Sequence, residues 1–238
     1  MKRLDCHLFQ VQQSYKLKDQ QTYFREVKFI VTKSYPIAIN DVEDESIVNR
    51  SRFICYLRPC DDIAQAKAML KELQQFHPQA SHHCHAFLTK AADDSQGYGF
   101  SDDGEPTGTA GKPMLLALQG GGIGHVCAIV VRYFGGTKLG TGGLQRAYGG
   151  SVRQALAFLQ SKIKIAMVHK TLACQYSQID DVLHLLRQIE GQVVTQDYQQ
   201  TVIFRLAIPI EKLGLMQDKL HTLSSGQLQL TAIEQETE

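Results

Sequence analysis

VCAIVVRYFGG, residues 126–136, is a run of apolar, largely β-branched residues that ends in two glycines. Such a run is typical of a strand that is buried on both faces, because neither face carries the polar residues that contact with solvent requires. The run therefore predicts a central strand of a sheet over 126–134. The surrounding chain is expected to be arranged around this strand.

The sequence on either side of this strand alternates between strand and helix patterns. Upstream, we expect a strand, a helix opened by Asp61 and Asp62, a second strand, a polar loop and a short helix, at about 52–58, 61–77, 82–90, 93–109 and 112–119. Downstream, a helix is expected from about 141 to 160, with the Thr141 side chain capping its first turn. Gly149 and Gly150 inside it each cost roughly 1 kcal/mol relative to alanine, which indicates a kink or a close backbone contact.

The last third of the chain has a different order of elements. From residue 168 the patterns predict strand, helix, strand, strand, helix and strand, at about 168–176, 178–189, 192–198, 201–208, 210–223 and 228–233. This βαββαβ order is that of the ferredoxin-like fold. We therefore expect an α+β protein of two domains, 35–165 and 166–238. Residues 1–34 form an N-terminal extension of unknown role, in which only 23–32 has a strand pattern.

The composition is typical of a cytoplasmic protein. The six cysteines contain no CxxC pair, and the longest apolar runs are far shorter than the ~20 residues that cross a bilayer. The first residues, Met1-Lys2-Arg3, lead into a mixed segment and not into the apolar core of a signal peptide. We expect free thiols, a reducing cytoplasm and no contact with a membrane.

Charged residues are distributed unevenly, although the formal net charge is only +1. Five acidic residues and no Lys or Arg lie between Asp93 and Glu105, whereas the 74 residues from Pro106 to Ile179 contain eight Lys or Arg and no acid. A segment with only positive charge is suited to an anionic partner. A buried core of small residues would also lack acids. From 166 to 238 five basic residues face nine acidic ones, which favours a protein partner or self-association through the C-terminal domain.

The acidic residues are concentrated in a turn, SDDGEPTGTAGKP at 101–113, with the three carboxylates Asp102, Asp103 and Glu105. Unpaired buried charge is costly, so these side chains are expected to face solvent, a metal ion or the basic segment. The spacing of a calcium loop is absent, and no metal is predicted. The three acids are candidates for acid–base chemistry. The alternative is that they are solvated and paired with the cations of the next segment.

The glycine-rich segment RYFGGTKLGTGG, 132–143, joins the central strand to the next helix. Amides at a helix N-terminus are unsatisfied and glycines let an anion approach them, so phosphate is the expected ligand. The segment matches neither the Walker A loop nor the GxGxxG fingerprint, and tight packing of helix on sheet is the alternative reason for its glycines. The candidate ligand-binding or nucleic-acid-binding residues are Lys112, Arg132, Gly135, Gly136, Lys138, Gly140, Gly142, Arg146 and Arg153.

Histidines and aromatic residues supply further candidates. Residues 82–85, His-His-Cys-His, could contact a metal, but on a strand at most two of them share a face. A neutral histidine near the acidic turn is expected instead, with His83 or His85 as a general base. Tyr133, Phe134 and Tyr148 could stack on bases, although core packing is favoured for Phe134.

The segments 101–113 and 130–143, together with the run from His82 to Cys84 and that from Ala147 to Gly150, resemble the signature of the IMPACT family and of its bacterial branch. The resemblance extends from about Ser34 to the C-terminus. It implies an N-terminal domain similar to the second domain of a small-subunit ribosomal protein, and a ferredoxin-like C-terminal domain. Eukaryotic members regulate translation through a further partner-binding domain that finds no match in this sequence. The ribosomal likeness implies contact with RNA or the ribosome.

The sequence leaves two functional hypotheses open. In the leading hypothesis the chain is a non-catalytic module without a cofactor, which contacts RNA or the ribosome and is linked to the regulation of translation. In the second it is an enzyme that acts on a small phosphorylated ligand, with Asp102, Asp103, Glu105 and His83 opposite the anion site. The distance from the acidic turn to Arg132 shows whether these charges can share a ligand or only neutralise each other.

Overall fold

The structure, a computed structural model, describes residues 33–232. These residues form two compact units, 34–165 and 166–232, each with its own sheet and apolar core. The strand pattern at 23–32, and nearly all of the N-terminal extension, lie outside the described residues. In the described part, no helix has the length and apolar character needed to cross a bilayer.

The first unit contains a main sheet and a two-stranded ribbon. Its strands are β1 (Tyr35–Ala38), β2 (Val42–Val48), β3 (Ser51–Pro59), β4 (His82–Leu88), β5 (Tyr98–Ser101), β6 (Val126–Tyr133) and β7 (Ser161–Lys164). The main sheet is antiparallel with the order β2-β3-β6-β4-β5, and β1 pairs with β7. Every residue of β6 except Tyr133 is buried, which confirms the prediction of a central strand covered on both faces.

Helices cover both faces of the main sheet. They are α1 (Ile63–Phe76), α2 (Gly111–Gly121) and α3 (Gly140–Leu156). On one face α1 packs Met69 and Leu73 against Ile129 of β6. On the other face α2 and α3 cover the side chains of the alternate strand residues, among them Val130. The unit is therefore a sheet between two helical layers.

The helix starts differ from each other. Asp62 begins α1 as predicted, and its Oδ1 accepts the N–H of Gln65 at 2.8 Å. The prediction that Thr141 caps α3 is wrong. Gly140, whose φ of 69° suits a glycine, begins α3 one residue earlier, so Thr141 lies inside the first turn and no side chain caps this helix.

Four strands of the first unit were not predicted from the sequence. The edge strand β2 has the sequence VEDESIV, in which three acids conceal the alternation of buried and exposed positions. The strands β1, β5 and β7 contain four residues each, which is too short for a periodic pattern. The missed strands are thus either short or at an edge of the main sheet.

The second unit has the predicted ferredoxin-like order. Its elements are β8 (Met167–Cys174), α4 (Ile179–Gln188), β9 (Gln192–Tyr198), β10 (Val202–Pro209), α5 (Leu213–Ser224) and β11 (Thr231–Ala232). The strands form an antiparallel sheet with the order β11-β8-β10-β9. Residues Phe204 and Leu206 of β10 are buried with residues of α4 and α5. The α+β fold class is confirmed.

Candidate functional site

The carboxylate of Asp102 holds the acidic turn together. One oxygen accepts the N–H of Gly108 at 2.8 Å, and the other accepts the N–H groups of Ala110 and Gly111 at 2.9 and 2.8 Å. These amides belong to the approach and first turn of α2, where backbone donors have no intrahelical acceptor. Burial raises the pKa of Asp102, but the three amides together lower it by more, so this pKa lies below its ordinary value. Asp102 therefore remains a carboxylate that shapes the turn.

Glu105 is folded inward onto the basic segment. Its carboxylate forms an ion pair with Arg132 of β6, and these residues are only 8% and 5% exposed. The hydroxyl of Tyr148 in α3 donates to Glu105 Oε1 at 2.8 Å, and an amino group of Arg132 lies 3.4 Å from Ser51 Oγ. Such additional hydrogen bonds are what a buried ion pair requires. The acidic turn thus contacts β6 through an ion pair in which the charges of Glu105 and Arg132 neutralise each other.

Asp103 connects the turn to β4. It has a φ of 43°, its Oδ2 accepts the N–H of His83 at 2.6 Å, and its carbonyl oxygen accepts the Nδ1–H of His82 at 2.7 Å. A carbonyl can only accept, so Nδ1 of His82 carries a proton. Its Nε2 lies 3.8 Å from Oε1 of Glu105. His82 is the histidine that approaches the buried acid.

The imidazole of His83 lies on the other face of the sheet. Side chains alternate along β4, and Cys84 is buried in the core beneath α2 and α3, whereas Phe87 belongs to the core beneath α1. His83 shares the face of Phe87, so its ring does not join the carboxylates of the turn. Burial raises the pKa of the Cys84 thiol to about 12, and this thiol donates to the carbonyl of Asp102. Across residues 33–232, no three His, Cys, Asp or Glu side chains are placed to hold a metal ion.

The glycines that follow β6 perform different tasks. At Gly135 a Cβ would lie 2.0 Å from the carbonyl carbon of Arg50, so close packing requires a glycine there. Gly136 and Gly140 have φ values of 83° and 69° and no atom within 4 Å of the position of a Cβ. They form an open turn in front of α3, whose first amides have no side-chain cap. Close packing therefore explains Gly135, whereas Gly136 and Gly140 leave open space where a Cβ would lie.

Four candidate cations are exposed and unpaired. Among the described residues, Lys112, Lys138, Arg146 and Arg153 have no hydrogen-bond or ion-pair partner. In the acid-containing part of the same unit, Arg52 and Arg58 have partners, whereas Arg50, Lys67 and Lys71 are exposed without one among the described residues. The guanidinium pairs there are Arg52 with Glu45, and Arg58 with Asp41 and Glu72.

Arg146 and Arg153 lie on one face of α3, with Gly142 before Arg146 and Gly149 between the two arginines. Arg146 Nη1 is 3.5 Å from the position of a Cβ at Gly142, and Arg153 Nη1 is 3.1 Å from the same position at Gly149. A Cβ at Gly149 would also lie 3.3 Å from the carbonyl oxygen of Pro113, the residue after Lys112. The first turn of α2 and the exposed face of α3 therefore form one basic surface. We call Lys112, Lys138, Arg146 and Arg153 the basic cluster.

Sequence reasoning missed three residues that complete the buried pair. His82 could have been found, because alternation from the apolar Cys84 places it on the inner face of β4. Tyr148 was considered only for stacking, but it is fully buried and donates to Glu105. Ser51 carried no sequence signal, since its contact with Arg132 depends on the pairing of β3 with β6.

Comparison with known proteins agrees with this architecture. The model of the Impact N-terminal domain matches residues 49–156, and that of the Domain of unknown function (DUF1949) matches residues 172–227. The IMPACT family member YigZ of Escherichia coli (strain K12) is 48% identical over 188 residues, covering 79% of this chain and 92% of the relative. The IMPACT family member YvyE of Bacillus subtilis (strain 168) is 32% identical over 184 residues, covering 77% and 84%.

A solved structure, described as the crystal structure of a hypothetical protein, supports the same assignment. It is 45% identical, covers 86% of this chain and 99% of its own, and superposes with a TM-score of 0.65. The two family models match segments that lie within the two units, one in each. The chain belongs to the IMPACT family.

Proposed function

We propose that this protein binds RNA, on or from the ribosome, through the basic cluster, and that it acts on translation by this contact. The observation that carries the proposal is the basic cluster, whose four exposed cations have no partner among the described residues and lie in a stretch of 74 residues that contains no acid. An exposed cation next to an acid forms an ion pair that contributes little to stability, and its charge is already neutralised. An exposed cation without one is available to a phosphate.

The segment around the basic cluster supports the same partner. The turn through Gly136 and Gly140 is open, and the uncapped first turn of α3 presents amide donors beside Lys138. Amides at a helix N-terminus and a nearby lysine are a common way to hold a phosphate oxygen. No described carboxylate neutralises this region, because Glu105 is paired with Arg132 and Asp102 accepts backbone amides.

Binding of a ribosomal RNA fragment, measured against salt concentration, tests the proposal. With about four phosphate contacts, the affinity is expected to fall roughly 50-fold between about 50 and about 200 mM salt. The substitution Lys138→Ala should weaken binding and reduce the slope of log K against log salt by about 1. Lys71→Ala is the matched control, since Lys71 is an exposed lysine on α1, across the sheet. Association that is undetectable or independent of salt would contradict the proposal.

A small phosphorylated ligand is the competing partner. Among the acids of the turn, the carboxylates of Asp102 and Glu105 are both occupied, so neither is a free acid–base group beside the glycine turn. A ligand that binds the folded state raises the melting temperature, so a thermal-shift screen of phosphorylated metabolites with Mg²⁺ separates the two functions. A shift with a metabolite and no binding of RNA would favour the enzyme hypothesis.

A further inference from the structure

Phe134 is an exposed aromatic residue at the end of the central strand. Sequence reasoning favoured a place in the core, but Phe134 is 51% exposed, whereas Tyr148 is fully buried. The hydroxyl of the neighbouring Tyr133 is hydrogen-bonded to His77 Nδ1 at 2.9 Å. Of the three aromatic candidates for base stacking, Phe134 alone is an exposed residue, and its ring is about half exposed beside the glycine turn. An apolar ring that is half exposed next to cations calls for a partner that offers both an apolar face and negative charge.

The backbone on both sides of this ring is fixed. The N–H of Phe134 donates to Ser81 Oγ at 3.2 Å, and the N–H of Gly135 donates to Ser51 Oγ at 3.1 Å. Gly135 also packs directly on the backbone of Arg50. A ring that projects from a fixed backbone loses little freedom when it is contacted, and so it can serve as a rigid stacking surface.

A cation supports one face of the ring. The guanidinium carbon of Arg132 lies 5.6 Å from the centroid of Phe134 and 5.4 Å from that of Phe53, so it contacts both rings. Arg132 is held in place by Glu105. The buried ion pair therefore has a further consequence, because it fixes the support beneath an exposed aromatic face.

We infer that Phe134 stacks on an unpaired base, so that the RNA recognised here is single-stranded. This inference rests on the proposed function. Bases in a duplex are already stacked on both sides, and only an unpaired base can offer its face to a side chain. Lys138 follows four residues later, after the open turn at Gly136, and can contact the phosphates of the same strand. Aromatic stacking combined with a nearby basic surface is the arrangement by which proteins bind single strands with little sequence preference.

Binding of a 12-nucleotide unstructured RNA, alone and annealed to its complement, tests the inference on the full chain. Stacking on one aromatic residue contributes roughly 5- to 150-fold to the affinity for a single strand. Phe134→Leu, which keeps an apolar side chain but removes the ring, should weaken single-strand binding about 10-fold and leave the salt slope unchanged. Phe134→Trp should bind as tightly as the natural protein or more tightly. A 2-aminopurine placed in the RNA should be quenched by the natural protein and not by Phe134→Leu.

The outcomes separate this inference from the proposed function. If the protein binds RNA with a steep salt dependence but prefers the duplex, or if Phe134→Leu binds the single strand normally, the stacking inference is wrong and the proposed function stands. If neither form binds, the stacking inference is wrong, and if the ribosomal RNA fragment does not bind either, the proposed function is wrong as well. Unfolding curves of the Phe134 variants that match the natural protein exclude loss of fold as the cause of weaker binding.

Discussion

At the residue scale, Glu105 and Arg132 change what the acidic turn is able to do. Each is almost completely buried, and each charge is matched by the other. A carboxylate in such a pair is a poor base, because removing its charge would leave the guanidinium unpaired in the interior. The pair instead links the turn, the central strand and Tyr148 of α3, and it fixes the arginine on which Phe134 rests.

His125 is another buried polar residue and lies directly before β6. It is 6% exposed, has a φ of 52°, and its Nδ1 lies 2.7 Å from Asp61 Oδ1. The ammonium of Lys164 can only donate, so it donates to Nε2, at 3.0 Å, and Tyr35 Oη lies 2.8 Å from the same atom. The ring is therefore neutral. Burial lowers the pKa of His125, the hydrogen bond to Asp61 raises it and Lys164 lowers it, leaving it below its ordinary value.

We expect the free energy of unfolding to fall as the pH drops from about 7 to about 5, because the unfolded state takes up a proton on His125 before the folded state does. The free energy of unfolding falls as the pH drops below the ordinary histidine pKa, and this loss ends once the pH is below the pKa of His125 in the folded state. His125→Asn removes this titration, and asparagine tolerates a positive φ. Urea unfolding across this pH range should give a flatter profile for the variant.

Two other histidines set the baseline for that comparison. Burial also lowers the pKa values of His77 and His85, so both the natural protein and His125→Asn should retain some loss of stability in acid. The difference between the two profiles isolates His125. Parallel profiles would show that this ring does not titrate differently in the folded and unfolded states.

At the scale of elements, the glycine pair within α3 allows a matched comparison. A Cβ at Gly150 would meet only Arg153 Nη2, at 4.0 Å, so Gly150→Ala should stabilise the protein by up to about 1 kcal/mol through helix propensity. Gly149→Ala gains the same propensity, but its methyl group meets the carbonyl oxygen of Pro113 at 3.3 Å. Its net gain should be smaller or negative. Urea unfolding measures both, and equal stabilisation by the two variants would contradict the packing of α3 on α2.

Element length decided how much of the fold could be predicted. The strand β6 is a long continuous apolar run and the helix α1 is long and periodic, and both were predicted within a few residues. The ribbon of β1 and β7 was missed because four-residue strands carry no period and their pairing joins residues more than a hundred positions apart. The start of α3 was misplaced because Thr141 is a good cap by type, but Gly140 reaches a conformation that threonine cannot.

The candidate site was predicted in composition and not in geometry. The absence of acids between Pro106 and Ile179 is visible in the sequence, and it predicts that the Lys and Arg side chains of this stretch lack nearby acidic partners in the sequence. Which acid contacts which base depends on the turn after β5 reaching β6, a long-range contact without local signal. The exposure of Phe134 was missed for a similar reason, because an apolar residue at the end of a buried strand has the same pattern whether or not a helix covers it.

At the scale of the whole molecule, the two units have separate cores and different charge distributions. The described core residues of 34–165 and those of 166–232 form different clusters. The basic cluster belongs to the first unit, whereas the chain from 166 to 238 has five basic and nine acidic residues. A polyanion should therefore bind the first unit, and a protein partner or a second copy of the chain remains the proposed partner of the second.

Separate cores predict that damage to the second unit leaves RNA binding intact. Phe204 is fully buried in the core of the second unit, and Phe204→Ala should destabilise that unit by about 3–5 kcal/mol through loss of contacts and formation of a cavity. Phe53→Ala is the matched control, since Phe53 is equally buried but lies in the first unit beside Tyr148 and Arg132. In urea unfolding of Phe204→Ala, the transition of the second unit should shift to a lower urea concentration, and the RNA affinity should stay within about twofold of that of the natural protein. In Phe53→Ala the transition of the first unit should shift instead, and RNA affinity should be lost with it. A single transition that shifts as a whole in both variants, or loss of RNA binding in Phe204→Ala, would show that the second unit takes part in the function assigned to the first.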